Sequence, residues 1–475
     1  MQEESARLDA LSEMMALSSY ANTKNLLITA IDVKGPLDQE ALTSAVQQAA
    51  KHYPQFAGRI REIKAKQRHH LVWHLDPDLR VPVKTKNVPA SSSGQCGPAF
   101  QSFLECIRPD LDRQLNLFNE GPAELHVLRF SPDHHIIAPV IHHVAADAGT
   151  ASEFGRETLA HYHEILTGNT PDWFFQEHAM SSSKKRMVKL KEPKFKDFMV
   201  EFREAVTHLF ESPGFPAGGG SPKETKQFHA KRVLSVDETE RIGKICSEKG
   251  VSLVDILVAG TNLAVDEWNT ARNVTPGILT TSMSVNMKGR FEGFNKANNS
   301  ALMFFKSRPD ERQDLAAFAR AMALTRIKFF RNHMDFKFVQ NVSRMVSSFR
   351  LFPFPIRRKI VNFLMNRHQF SVAVTLLGVV WPATKNGKLT AESCLTSAGN
   401  LEIREIHGVG YKLLSNTPIL LIVYAFRNKL NLVLHASGKL FTKEESDVFM
   451  DVVMKNLMKY ALELPAFRKE SSRAV

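Results

Sequence analysis

Cysteine is scarce in this chain: four in 475 residues, Cys96, Cys106, Cys246 and Cys394. No two form a CxxC pair, so a zinc knuckle or a disulfide framework is not expected, and a reducing compartment fits. Long hydrophobic runs are missing too. The longest, PILLIVYAF over 418–426, is far short of the ~20 residues that a spanning helix needs. The first residues, MQEESARLDALSEMM, carry acids where a signal peptide carries bases, and they lack an apolar core. A cytoplasmic chain without a transmembrane segment is therefore expected. There is no repeat of fixed period, no GxSxG elbow, no P-loop and no HExxH. The GxG-like string GVGY at 408–411 lacks its third glycine.

Hydrophobic residues make up 43% of the chain and charged residues 23%, the profile of a soluble globular protein. The length suggests about two or three domains. Net charge is +13 and the pI is near 9.5. This balance favours an acidic partner: a phosphorylated cofactor, an acidic carrier protein, an anionic membrane surface or nucleic acid.

Strand and helix patterns alternate along the chain. Residues 26–37 read as a strand and turn, 38–54 as a helix and 69–76 as a short strand. Residues 123–143 read as a hairpin whose second arm is the apolar run IIAPVI, and 150–166 as a helix. Ser, Pro, Gly and Lys dominate residues 176–228, as in a linker. Helices follow at 235–250 and 252–268, a strand at 277–290, a hairpin at 417–437 turning at Arg427, Asn428 and Lys429, and a final helix from Lys443 to Leu464. The pattern predicts a two-lobed α/β protein: an N-terminal lobe over 1–175, the linker over 176–228 and a C-terminal lobe over 229–475.

The segment IHHVAADAGT, residues 141–150, ends the apolar strand. Three readings compete for His142, His143 and Asp147. An Asp or Thr beside a helix start is ordinary capping, so Asp147 or Thr150 can cap the next helix with no chemistry at all. A metal site could draw on His143, Asp147, His126, His134 and His135. These lack any fixed ligand spacing, and no metal is expected. The third reading is general base catalysis. A histidine at the end of a buried strand stands on a rigid platform, and its ordinary pKa of ~6.5 suits proton abstraction at neutral pH.

HHVAADAG, between an apolar strand and a helix, resembles the HHxxxDG motif of the CoA-dependent acyltransferase superfamily. That group includes chloramphenicol acetyltransferase, nonribosomal peptide synthetase condensation domains, alcohol acyltransferases and wax ester synthases. The likeness extends along the chain. Residues 119–162 follow the family order of strand, turn, strand, motif and helix. Residues 36–60 resemble its first helix and the following strand, and 248–268 the helix opening the second lobe. MSVNMKGRF (283–291) with NNSALMFF (298–305) resembles the "pvnlR…N" segment, and VAVTLLGVV (372–380) sits where many members have Ser-Asn-x-Gly. Three positions depart from the pattern. Ala148 stands for the motif glycine, with Gly149 one place later. Lys288 stands for the arginine, with Arg290 two residues on. Thr375 and Leu376 replace Ser-Asn.

The resemblance implies an α/β fold of two chloramphenicol acetyltransferase-like lobes, each a mixed sheet flanked by helices. An active-site tunnel would lie between them, and part of 370–415 would cross to the N-terminal lobe. It implies an acyltransferase moving an acyl group from acyl-CoA or an acyl carrier protein to the hydroxyl of an alcohol or lipid-like acceptor. His143 would be the general base, with no acyl-enzyme. His142, Asp147 and Gly149 would support it, and Lys288 or Arg290 would pair with Asp147, which would point away from the tunnel. Coenzyme A thioester would be a co-substrate, with no tightly bound cofactor. Two alternatives stay open: a catalytically silent relative that binds a carrier or membrane, and a stand-alone condensation enzyme forming an amide.

Two basic segments remain. Seven cations between Lys184 and Lys196 fit a solvated linker. FRLFPFPIRRKIVNFLMNRH, residues 349–368, has five cations and no acid. Its Ile356, Ile360, Phe363 and Leu364 share one helical face. That face either packs on the lobe or touches a membrane interface. Phe is abundant, 32 against 6 Tyr and 4 Trp, which suits a lipidic substrate. The aromatics do not interleave with bases as in a nucleic-acid module, so no nucleic acid is expected. A monomer is expected.

Overall fold

The computed structural model describes residues 7–19, 23–76, 78–88, 99–171, 173, 213–287, 298, 300–367, 370–381, 395–412 and 417–463. The N-terminal half starts with α1 (Ala10–Ser18), β1 (Leu26–Lys34) and α2 (Gln39–Ala50). The hairpin β2 (Gly58–Ala65) and β3 (Arg68–Leu75), β4 (Val83–Asn87) and α3 (Ala99–Asp112) follow. Then come β5 (Ala123–Ser131), β6 (His134–His142) and α4 (Ala148–Thr167). The C-terminal half holds β7 (Gln227–Val233), α5 (Val236–Lys249), α6 (Leu253–Thr270), β8 (Leu279–Asn286) and β9 (Ser300–Ser307). Three helices follow: α7 (Leu315–Arg331), α8 (Met334–Phe349) and α9 (Phe354–Arg367). The chain ends with β10 (Val372–Val379), β11 (Ser397–Ala398), β12 (Leu401–Tyr411), β13 (Ile419–Phe426), β14 (Lys429–Ser437) and α10 (Lys443–Glu463).

Each half is built on a six-stranded mixed sheet. The first has the order β11-β12-β1-β6-β5-β4, the second β7-β14-β13-β10-β8-β9. β12 lies late in the sequence yet pairs antiparallel with β1, so residues 401–411 complete the N-terminal sheet. β10, by contrast, sits in the second sheet, parallel to both β13 and β8. β6 is buried along nearly all its length, which explains its unbroken apolar run. Pro139 within it has no N–H to give. The β1–β6 ladder accordingly skips from the Ile28–Val140 pair to the Ile31–Ile137 pair. Arg427 and Asn428 both take positive φ, 50° and 57°, as a two-residue type I′ hairpin requires.

One core cluster joins the lobes. It packs Ile31, Phe154 and Ile406 of the N-terminal sheet and its helix against Ile422, Tyr424 and Val433 of the second sheet. A second apolar cluster fills the C-terminal lobe, and a third lies between the outer face of the first sheet and α3.

Charge ties the helices after β9 back to the N-terminus. Glu13 on α1 is fully buried between Arg350 and Arg357. Arg357 also reaches Glu62 on β2 at 2.8 Å. This arrangement decides which side of the 349–368 helix meets the lobe. Arg357 and Val361 face inward, while Ile356 and Phe363 are exposed. The guanidinium is the inward anchor because two carboxylates meet it there. Among the described residues, no helix is long and apolar enough to cross a membrane.

Candidate active site

The loop between β6 and α4 carries the two histidines. His142 ends β6, opposite Leu26 of β1. The Val144 N–H donates to its Nδ1 at 3.0 Å, which leaves the ring proton on Nε2. Nε2–H then donates to Ser19 Oγ at 2.7 Å. Ser19 passes its own proton to the Met15 carbonyl and also accepts from Asn25. Both His142 nitrogens are thus occupied. Burial, followed by the neighbouring His143, pushes its pKa down to about 3. His142 is a neutral brace that cannot also serve as a base.

His143 is only partly covered and lines a cavity between the lobes. Its backbone is gripped from both sides. Its N–H donates to the Asn25 carbonyl at 2.7 Å, and its carbonyl accepts from Asn298 Nδ2. Asn298 lies just before β9 and also donates to Ser12 Oγ at 3.3 Å. One amide side chain thus joins the C-terminal lobe, the loop and α1. His143 Nδ1 is buried and makes no hydrogen bond among the described residues. Burial lowers the His143 pKa, and its own backbone, the Asp147 charge and Asn298 oppose the shift. The imidazole is therefore neutral near pH 7.

Asp147 is the N-cap of α4, with its carboxylate accepting from the Thr150 N–H at 2.7 Å. It is buried and also borders the cavity. Ala148 is the first helical residue and is not among the positive-φ positions. Its methyl therefore meets no backbone penalty. Gly149 follows in the first turn and lines the cavity. First-turn N–H groups have no intrahelical acceptor. Lys288 and Arg290 lie outside the described residues.

The opposite wall is a set of short polar side chains, of which sequence reasoning singled out only Thr375. Ser284 Oγ on β8 donates to Thr375 Oγ1 on β10 at 3.2 Å. Asn286 and Ser300 complete this wall. Thr375 thus turns a hydroxyl into the cavity where the resemblance expected Ser. The contact of Asn298 is likewise invisible in the sequence, although the NNS string containing it stands out there. The cavity measures about 140 Å³.

The other histidines near the motif in sequence are spent elsewhere. His134 pairs with Asp32 at 3.1 Å, at the far end of β6. His126 pairs with Glu124 at 3.1 Å. Among the described residues, no His, Cys, Asp and Glu group is placed to hold a metal.

Comparison with known proteins bears on this geometry. The model of the Condensation domain family matches residues 13–282, more than half of the chain. A curated relative, a probable non-canonical nonribosomal peptide synthetase from Salinispora arenicola, is 26% identical over 144 residues, 30% of this chain. The chain spans about 2% of that relative's length. Among solved structures, the TRI3 trichothecene 15-O-acetyltransferase of Fusarium sporotrichioides superposes with a TM-score of 0.68 at 12% identity, covering 96% of this chain and 95% of that one. The first condensation domain of the calcium-dependent antibiotic synthetase gives 0.63 at 14% identity, covering 98% of each chain. A starter condensation domain of rhizomide synthetase, in complex with C8-CoA, gives 0.61 at 13% identity, covering 97% and 96%. These likenesses establish the two-lobed fold, and the family match establishes the lineage: the chain belongs to the condensation-domain family.

Proposed function

We propose that this protein transfers an acyl group from an acyl-CoA or acyl-carrier-protein thioester to the hydroxyl of an alcohol or lipid-like acceptor. His143 is the general base, and no acyl-enzyme forms. The observation that carries this reading is the contrast between the two histidines. His142 has both ring nitrogens bonded, whereas His143 is a neutral imidazole at the cavity wall, its backbone held by both lobes.

In this reading the acceptor O–H gives its proton to His143 as its oxygen attacks the thioester carbonyl. The tetrahedral intermediate collapses, the C–S bond breaks, and the imidazolium returns the proton to the departing thiolate. Gly149, in the first turn of α4, offers a backbone donor to the oxyanion. Asp147, through its cap, keeps the loop in shape, and Lys288 or Arg290 is its proposed ion-pair partner. A stand-alone condensation forming an amide would use the same site with an amine acceptor. The family match keeps that alternative in the test. A peripheral contact with an anionic membrane through 349–368 belongs to the same reading.

The experiment follows thiol release from acyl-CoA against a panel of alcohols and amines. Acceptor-dependent release with alcohols supports the reading, and release with amines alone converts it to amide formation. His143→Ala should lower kcat by roughly 10²–10⁴, the usual share of general base catalysis, while the fold survives. A near-normal rate in that variant would sink the base assignment.

A further inference from the structure

The two ends of the cavity differ in chemistry. Among its lining residues, His143 is the one imidazole and Asp147 the one carboxylate, and both belong to the loop at the polar end. The other end is walled by Leu377, Val380, Ile406, Leu420, Ile422 and the ring of Tyr424. Two backbone features shape this apolar end.

The first is a bulge in β10. Its ladder with β13 runs from Leu376 opposite Val423 directly to Gly378 opposite Tyr424, so Leu377 is the extra residue. Gly378 takes φ +74°, the left-handed conformation that suits glycine at such a bulge. A bulge re-aims a side chain, and here Leu377 is turned against the inter-lobe core.

The second is Gly408 on β12, opposite Thr29 of β1. A Cβ built there would lie 3.4 Å from Leu377 Cδ1 and 3.8 Å from the Tyr424 ring. The backbone would accept it, since Gly408 is not at positive φ. Tyr424 is held by its hydroxyl donating to the Ile406 carbonyl at 2.7 Å. The space beside Gly408 therefore exists because that residue has no side chain. His143 follows β6, and β6, β1 and β12 are neighbours. Gly408 thus lies two strand spacings across the sheet and four residues along it from His143, roughly 16 Å between backbones.

We propose that Leu377 and Gly408 form the end wall of a subsite for the acyl chain of the donor; this rests on the transfer reading above. Its occupant is aliphatic or aryl, because the wall there is apolar apart from Thr29 opposite Gly408, and a polar chain end would lose most of its hydration. Its size is at most about six carbons, since an engineered apolar cavity of ~150 Å³ holds benzene and the whole cavity here, polar end included, measures about 140 Å³.

The test compares kcat/KM for acetyl-, hexanoyl- and decanoyl-CoA in the native protein, Gly408→Ala, Gly408→Val and Leu377→Ala. Gly408→Val should lower the hexanoyl-to-acetyl ratio about tenfold or more, the range for a methylene or so in an apolar pocket. Gly408→Ala, whose methyl meets only ordinary contacts, should fold normally and give a smaller drop. Leu377→Ala should shift preference toward decanoyl. Unchanged ratios in all three variants overturn the proposal. So does a Gly408→Val effect that follows the acceptor when alkanol length is varied with acetyl-CoA.

Calorimetric titration with S-hexyl-CoA, an unreactive thioether, separates this proposal from the transfer reading. Tighter binding than CoA alone, lost in Gly408→Val, supports the subsite even if no turnover is found. Equal binding of S-hexyl-CoA and CoA overturns it even if turnover is found.

Discussion

His142 and His143 are adjacent and chemically alike, and hydrogen bonding is what separates them. A backbone N–H on Nδ1 and a serine on Nε2 leave His142 no lone pair for a substrate proton. Asp147 is separated from ordinary surface acids by position, as the cap that begins α4 beneath the proposed base. Asp147→Ala removes that cap and should cost about 1 kcal/mol of stability, read as a lower urea midpoint. Asp147→Asn should recover most of the loss, because asparagine caps about as well. If the alanine variant melts like the native protein, the supporting role of Asp147 is wrong. The motif residues were legible in the sequence because strand end, loop and helix start are local patterns. Asn298 was not legible as a partner of the loop, since it lies 155 positions from the carbonyl it holds.

Two elements carry consequences of their own. α6 and α10 meet at Gly260, where an added Cβ would lie 2.6 Å from Leu457 Cδ2 and 2.9 Å from Leu457 Cα. The second of these atoms belongs to the backbone, so α10 itself would have to shift. Gly260→Ala should therefore be destabilising by about 1–2 kcal/mol: overpacking costs ~1–3 kcal/mol, and the better helix propensity of alanine returns less than that. A variant as stable as the native protein in denaturant titration would contradict this close approach of the two helices.

α9 is the other. The spacing of Ile356, Ile360, Phe363 and Leu364 was legible, but which side of the helix meets the lobe was not. Arg357 faces inward because Glu13 and Glu62 wait there, from segments about 300 residues earlier. That leaves Leu351, Phe352, Ile356 and Phe363 exposed. Residues 315–367 hold eleven Lys and Arg against one acid, Asp335. An exposed apolar strip on a basic helix suits an anionic lipid interface. Co-sedimentation should show binding to phosphatidylserine vesicles but not to neutral phosphatidylcholine vesicles, weakened by salt and by Phe363→Ser. Equal binding to both vesicle types, or to neither, would refute the membrane contact.

For the whole molecule, buried histidines set a pH limit. His142 and His229 are pushed down to about 3, and His407 and His435 well below the ordinary value, in each case first by burial. His229 and His435 stack edge to face at 4.6 Å across β7 and β14. Each ring is neutral when folded, whereas an unfolded histidine takes a proton near pH 6.5. The unfolded chain therefore binds more protons below that value. Stability from these groups is fully present above pH 6.5 and is lost progressively as pH falls toward 3. Thermal melting should drop by several degrees between pH 7 and pH 5, and His435→Leu should flatten that slope. A melting temperature constant across this interval would contradict the burial of these rings.

The sequence by itself determined the local grammar: the apolar β6, the HHVAAD loop, the helix behind it and the tight Arg427–Asn428 turn. Each depends on neighbours a few residues away, so periodicity and turn chemistry suffice. Tertiary structure decided what those pieces face. It set β12 beside β1, closed Asn298 on His143, turned Arg357 inward and opened the space beside Gly408. These contacts join segments tens to hundreds of residues apart. They follow from which apolar faces can be buried together and which buried charges and amides find partners, a condition that only the assembled molecule can satisfy.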